Sequence, residues 1–224
     1  MTIRNDSDNE DGVSTEIRPF SYYEAQIVQK IHHIYLSTEI GAPALYTDMI
    51  NIIRSAGPND IVYIHLNTPG GDLTAGVQII NAMQSTQAHV ICGVECEVSS
   101  LGTLIFLAAD EFVVHDNTIF MFHNFSSMTF GKGHEQAAQL EATTKWFNNL
   151  ARKLYIPFMS EEEYARIEQG GDLWLDAEEV RERLAYMVER MQEKAEQEKA
   201  EQEKAKTTPK KSAHKKRAAK KKVD

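Results

Sequence analysis

The chain has 224 residues, 42% of them hydrophobic, and a formal net charge of −9. That length and composition fit one domain with appendages and enough apolar material for a core. They leave little room for a membrane protein. No apolar run approaches the roughly 18 residues of a spanning helix, and the polar start MTIRNDSDNEDG lacks both regions of a secretory leader.

In chain order, residues 1–19 read as an acidic disordered segment. Ser21 and Glu24 form a capping box, which predicts a helix to about Lys30. His33–Ser37 reads as a strand and Ala42–Ala56 as a helix with Leu45, Met49, Ile52 and Ile53 on one face, stopped by Gly57-Pro58. Ile61–Leu66 is the next strand, Asn67-Thr68-Pro69-Gly70-Gly71 a turn, Leu73–Met83 a helix and 89–94 a strand. This alternation predicts parallel strands joined by crossover helices, an α/β fold. A buried helix from Thr103 to Ala109 follows, then short strands near 111–115 and 119–123, a loop over 124–133 and a long helix from Glu135 to Leu154. Ser160 with Glu163 opens another helix, Leu173–Leu175 is a strand, and Asp176 with Glu179 starts the last helix.

That helix runs into a charged EKAEQ repeat over residues 189–205, which lacks apolar a and d positions and reads as a solvated helix. Residues 206–224 carry nine Lys or Arg against one acid, leaving 15 bases against 32 acids in residues 1–205. The body is acidic and the tail basic and disordered. Without an aromatic residue to stack on bases, the tail is expected to bind nucleic acid only non-specifically. Cys92 and Cys96 have no zinc spacing and read as buried free thiols of a reducing compartment.

The stretch Val98-Ser99-Ser100-Leu101-Gly102 stands where a strand hands over to a buried helix. A serine there has its hydroxyl at a strand end, and the helix start aims free N–H groups at the same point. An N-cap serine fits the same pattern. The Ser-x-Gly half of a nucleophile elbow is present; the preceding glycine is not. A serine nucleophile needs a base, and that base an orienting group. Among eight histidines, His123 lies at the end of a strand, where functional groups of parallel sheets collect. His32 and His33 read as strand or surface residues, and Gly70-Gly71 lets the backbone approach a ligand.

Leu66–Gly71, Thr74-Ala75-Gly76, Ser100-Leu101-Gly102, Met121–Asn124 and Glu168–Leu175, in this order and spacing, resemble the proteolytic subunit of the Clp protease (ClpP) over residues 20–188. The resemblance implies a ClpP/crotonase-like fold of repeated β-β-α and βαβ units with a protruding handle helix, continued here by a helical C-terminal extension. It implies a serine endopeptidase with Ser100 as nucleophile, His123 as base and Asp172 as orienting acid. The N–H groups of Gly71 and Leu101 would form the oxyanion hole, and Gly70, Phe130 and Gly131 would line the substrate path. Phe130–Gly133 resembles the strand along which peptide lies, and Glu135–Leu154 the handle that joins two seven-membered rings. Neither metal nor cofactor is implied, and ATP enters only through a partner AAA+ unfoldase. No membrane is implied, and the setting is the cytoplasm of a bacterial or phage-infected cell.

The departures are those of a divergent member. Ser99 replaces an alanine, and His65 replaces one of two aromatic residues of the unfoldase-docking pocket, the other being Tyr63. The usual C-terminal turn and strand are missing. A phage capsid-maturation protease working without an unfoldase, or a structural ring subunit without catalysis, remains an alternative. A crotonase-type hydratase also shares the paired N–H groups, though it has no need of the three side chains.

Overall fold

A computed structural model describes Tyr23, Glu24, Gln26 and residues 28–207. One six-stranded sheet forms from β1 (Ile31–Leu36), β2 (Ile61–Thr68), β3 (His89–Ser99), β4 (Glu111–Val114), β5 (Ile119–Phe122) and β6 (Leu173–Asp176). The helices are α1 (Thr47–Ser55), α2 (Leu73–Ser85), α3 (Leu101–Leu107), α4 (Gly133–Tyr155), α5 (Glu161–Glu168) and α6 (Ala177–Thr207). A 3-10 turn, Pro43–Tyr46, leads into α1.

The sheet order is β1-β2-β3-β5-β6, with β4 also paired to β3. All pairings are parallel except β5 with β6. The crossovers through α1, α2 and α3 enforce the parallel part, because a helix must return the chain before the next strand starts. Between β5 and β6 the chain makes a long excursion through α4 and α5 and returns reversed. On β2 the period-two pattern buries Val62, Ile64, Leu66 and Thr68. Helix α3 is buried all round, as its unbroken apolar run dictates.

β3 is longer than its apolar run and divides its partners. Ile91–Val94 pairs with β4, and Glu97–Ser99 pairs with β5. The extra length carries the chain from the foot of the sheet to Ser100.

Several expectations are corrected. Tyr23, Glu24, Gln26 and residues 28–30 form no helix, while Ser21 lies outside the described residues. Tyr23 and Val28 are exposed, so no apolar face is buried to hold a helix that short. Lys30 instead leads into β1: its N–H donates to Asp60 Oδ1 at 3.0 Å, and its carbonyl accepts from Ile61 N–H at 2.8 Å. Cys92 is buried, but Cys96 is exposed, because β3 reaches the surface there. Residues 124–132 form the expected loop, so Phe130–Gly133 forms no strand. The C-terminal helix extends to Thr207; residues 1–19 and the tail beyond 207 lie outside the described residues. Among the described residues no helix is long and apolar enough to cross a membrane.

Candidate active site

β3 ends at Ser99 and α3 begins at Leu101, so Ser100 alone must turn the chain. It does so at φ 57° and ψ −125°, and among the described residues it is the only non-glycine residue with positive φ. Such a conformation costs about 1–3 kcal/mol and persists only where the surroundings over-determine it. Three hydrogen bonds do this. The Ser100 N–H donates to the Met121 carbonyl of β5 at 2.8 Å. The Ser100 carbonyl accepts from the Thr103 N–H at 3.0 Å and from Thr103 Oγ1 at 2.6 Å.

Gly70 packs beneath this turn. It has φ 99°, and a Cβ there would lie 2.7 Å from Ser100 Cβ. Gly71, at φ 141°, is pinned against Ile40, whose carbonyl accepts from Asp72 N–H at 2.7 Å. Thr68 shapes the same turn by accepting from Gly70 N–H at 3.2 Å and donating to the Thr38 carbonyl at 2.7 Å.

His123 is the first residue past β5. Ser99 pairs with Met121, so Ser100 and His123 leave adjacent parallel strands at the same end. His123 Nε2 lies 2.6 Å from Ser100 Oγ. With a neutral imidazole, the hydroxyl donates and Nε2 accepts, which leaves the ring proton on Nδ1.

The β5–β6 register ends at Phe122 opposite Leu173, which puts Asp172 across from His123. The Asp172 side chain is exposed, and among the described residues no hydrogen bond or ion pair joins it to His123. Gly71, Leu101, Ser100 and His123 line one cleft, whose apolar wall comes from Leu104, Phe125, Phe147 and Tyr155. Among the described residues neither the Gly71 nor the Leu101 N–H finds an acceptor. Leu101 is the first residue of α3, where no intrahelical partner exists. A serine oxygen with a base in contact and two free amides beside it can attack a carbonyl and hold the oxyanion that results.

Phe130 and Gly131 are not brought to this cleft. Phe130 is 84% exposed, and Phe125 and Ser126 occupy the nearby wall instead. Sequence reasoning missed Thr103 and Tyr155. Thr103 carried a visible signal, a hydroxyl three residues after the turn, placed to bond back to the backbone. Tyr155, more than 50 residues from Ser100, carried none.

No group of three or more His, Cys, Asp or Glu among the described residues is arranged to hold a metal ion. His33 Nδ1 lies 3.0 Å from His65 Nε2, and His65 Nδ1 lies 2.7 Å from Glu95 Oε1. The His65 ring stacks on Tyr35 with centroids 4.2 Å apart, and Tyr63 lies beside it at 4.4 Å. Burial and the Glu95 charge push the Tyr63 hydroxyl up from its ordinary value. The position that departs from the expected aromatic pair is therefore held in a polar network of its own.

The family described as Clp protease matches residues 21–183. The chain is 31% identical over 93 residues to the ATP-dependent Clp protease proteolytic subunit of Borreliella afzelii (strain PKo), covering 41% of this chain and 46% of that protein. It is 26% identical over 136 residues to the ATP-dependent Clp protease proteolytic subunit 1 of Salinibacter ruber (strain DSM 13855 / M31), covering 58% and 57%. The chain spans about half the length of these curated relatives. The match runs from the residues before β1 into α6 and takes in the whole sheet and the cleft at its end, so the chain belongs to the Clp protease family.

Proposed function

We propose that the protein is a serine peptidase that hydrolyses peptide bonds at Ser100. The observation that carries this reading is the 2.6 Å approach of His123 Nε2 to Ser100 Oγ at a strained turn. In this reading His123 takes the hydroxyl proton as Ser100 attacks the scissile carbonyl, then passes it to the leaving amine. The Gly71 and Leu101 amides hold the oxyanion. Asp172 orients the imidazole by turning its carboxylate to Nδ1 from the neighbouring register position. The peptide lies extended in the cleft and is held through its main chain.

The same reading makes the protein a ring-forming homo-oligomer, two stacked rings of about seven chains, with α4 as the handle between them. This supposition comes from the family resemblance and from the exposed Leu140 and Trp146 of α4. A partner unfoldase would supply ATP-driven threading. The His33–His65–Glu95 network favours a second reading, a peptidase that works without a standard unfoldase, as in capsid maturation. Its His65 stands where the family resemblance expects the second aromatic residue of the unfoldase-docking pocket.

The test is labelling by a serine-directed fluorophosphonate together with turnover of a fluorogenic peptide. Ser100→Ala is expected to abolish both and to leave the oligomer unchanged, a loss of roughly 10⁴–10⁶ in rate. Turnover by Ser100→Ala equal to the parent would overturn the reading. Degradation of a folded protein only when a Clp ATPase is added separates the first reading from the second.

A further inference from the structure

Behind the reactive turn lies a buried relay. Thr103 Oγ1 is 2.6 Å from the Ser100 carbonyl and 2.7 Å from the Tyr155 hydroxyl. The threonine proton is committed to the carbonyl, which can only accept, so Tyr155 donates to Thr103 Oγ1. Tyr155 is 1% exposed, and burial pushes its hydroxyl above the ordinary range, keeping it a donor. The chain therefore runs from Tyr155 O–H to Thr103 O–H to the Ser100 carbonyl, and each bond polarises the next.

The Ser100 carbonyl and the Leu101 N–H belong to one planar trans peptide unit and point in opposite directions. Whatever fixes the carbonyl fixes the direction of the amide. The carbonyl is held by buried Thr103, while Leu101 lines the cleft and among the described residues its amide has no acceptor. Tyr155 also touches the other half of the site. Its ring meets Phe122 edge-on, centroids 5.5 Å apart, and Phe122 precedes His123.

We propose that Thr103 and Tyr155 are positioning residues that aim the Leu101 amide at the oxyanion by clamping the Ser100 carbonyl, tying the end of α4 to the reactive turn. The proposal rests on the peptidase reading above. Neither residue touches the reacting atoms with its polar group, so its effect belongs on kcat rather than on substrate binding.

Thr103→Val keeps the shape and removes the hydroxyl. It is expected to lower kcat by about 10- to 100-fold with KM within about twofold, part of what losing an oxyanion donor outright costs. Thr103→Ser, which restores the hydroxyl, should return kcat to within about threefold of the parent. Tyr155→Phe should cost less than Thr103→Val, and nothing further in a Thr103→Val background, because the relay is then already cut. Parent-like kcat in Thr103→Val, equal losses in Thr103→Val and Thr103→Ser, or a loss confined to KM would each overturn the proposal. A second readout needs no turnover. The Ser100 amide, bonded to Met121, should exchange with solvent about tenfold faster in Thr103→Val and in Tyr155→Phe. If the parent neither turns over peptide nor labels at Ser100, the peptidase reading fails. The clamp is then judged on exchange alone: faster exchange supports it, and an unchanged rate overturns it.

Discussion

A Cβ at position 71 would run into the Ile40 backbone, at a φ that side chains rarely adopt. Gly71→Ala is therefore expected to destabilise the fold by about 1–3 kcal/mol in chemical denaturation, since nothing but backbone is available to give way. The two thiols should also separate cleanly. Cys96 is exposed and should react with an alkylating reagent in the native protein. Cys92 is buried, and burial pushes its thiol well up, so it should react only on unfolding. At this scale the strand-end places of Ser100 and His123 were legible as local patterns, while their pairing came only with the family resemblance. The partner of Asp172 was not, since a carboxylate's direction is set by side-chain torsions that neither register nor spacing encodes.

Helices α5 and α6 are joined by a paired contact of Arg183 with Glu163, at 2.9 and 2.8 Å. Glu163 also caps its own helix start, accepting from Ser160 N–H at 3.0 Å. The Arg183 hydrogen bonds, followed by that backbone bond, hold the Glu163 carboxyl down to about 2 from an ordinary 4.5. A depressed acid stabilises the fold above its ordinary value and loses that contribution as pH falls towards the folded one. Glu163→Gln is therefore expected to melt below the parent at pH 7, with the gap closing between about pH 4.5 and 2. A thermal scan across that range checks it, and a gap independent of pH would refute the assignment. The capping boxes at Ser160 and Asp176 were legible because each is a four-residue signal. The box at Ser21 has the same letters, but the chain after it forms no helix where it is described. A cap signals where a helix starts only if an apolar face behind it is buried.

Among the described side chains the last buried one is Met187, and α6 continues to Thr207. That is 20 residues, about 30 Å of helix, past Met187. A chain cut after Ala205 should keep full peptide turnover and lose retention on an anionic resin at low salt, because the proposed site residues end at Asp172. Loss of turnover would mean the tail reaches the cleft. The parallel part of the sheet was legible from the alternation of strands and helices. The antiparallel return of β6 was not, because a long excursion through two helices leaves strand direction open.

The divided pairing of β3 has a consequence in isotope exchange. Towards β4 and β5 the ladder stops at Val94 and resumes at Glu97. Towards β2 it breaks between Val94 and Val98, where Asn67 Oδ1 accepts from the Glu97 N–H at 3.1 Å in place of a backbone partner. Cys96 thus pairs on neither side although it lies inside the longest strand. In deuterium its amide should label within the time of the exposed loops, while those of Val90–Val94 and Val98–Ser99 wait for opening of the sheet. The strand that delivers Ser100 would then appear as two slow islands with a fast break at Cys96 between them, and uniform protection from His89 to Ser99 would refute it.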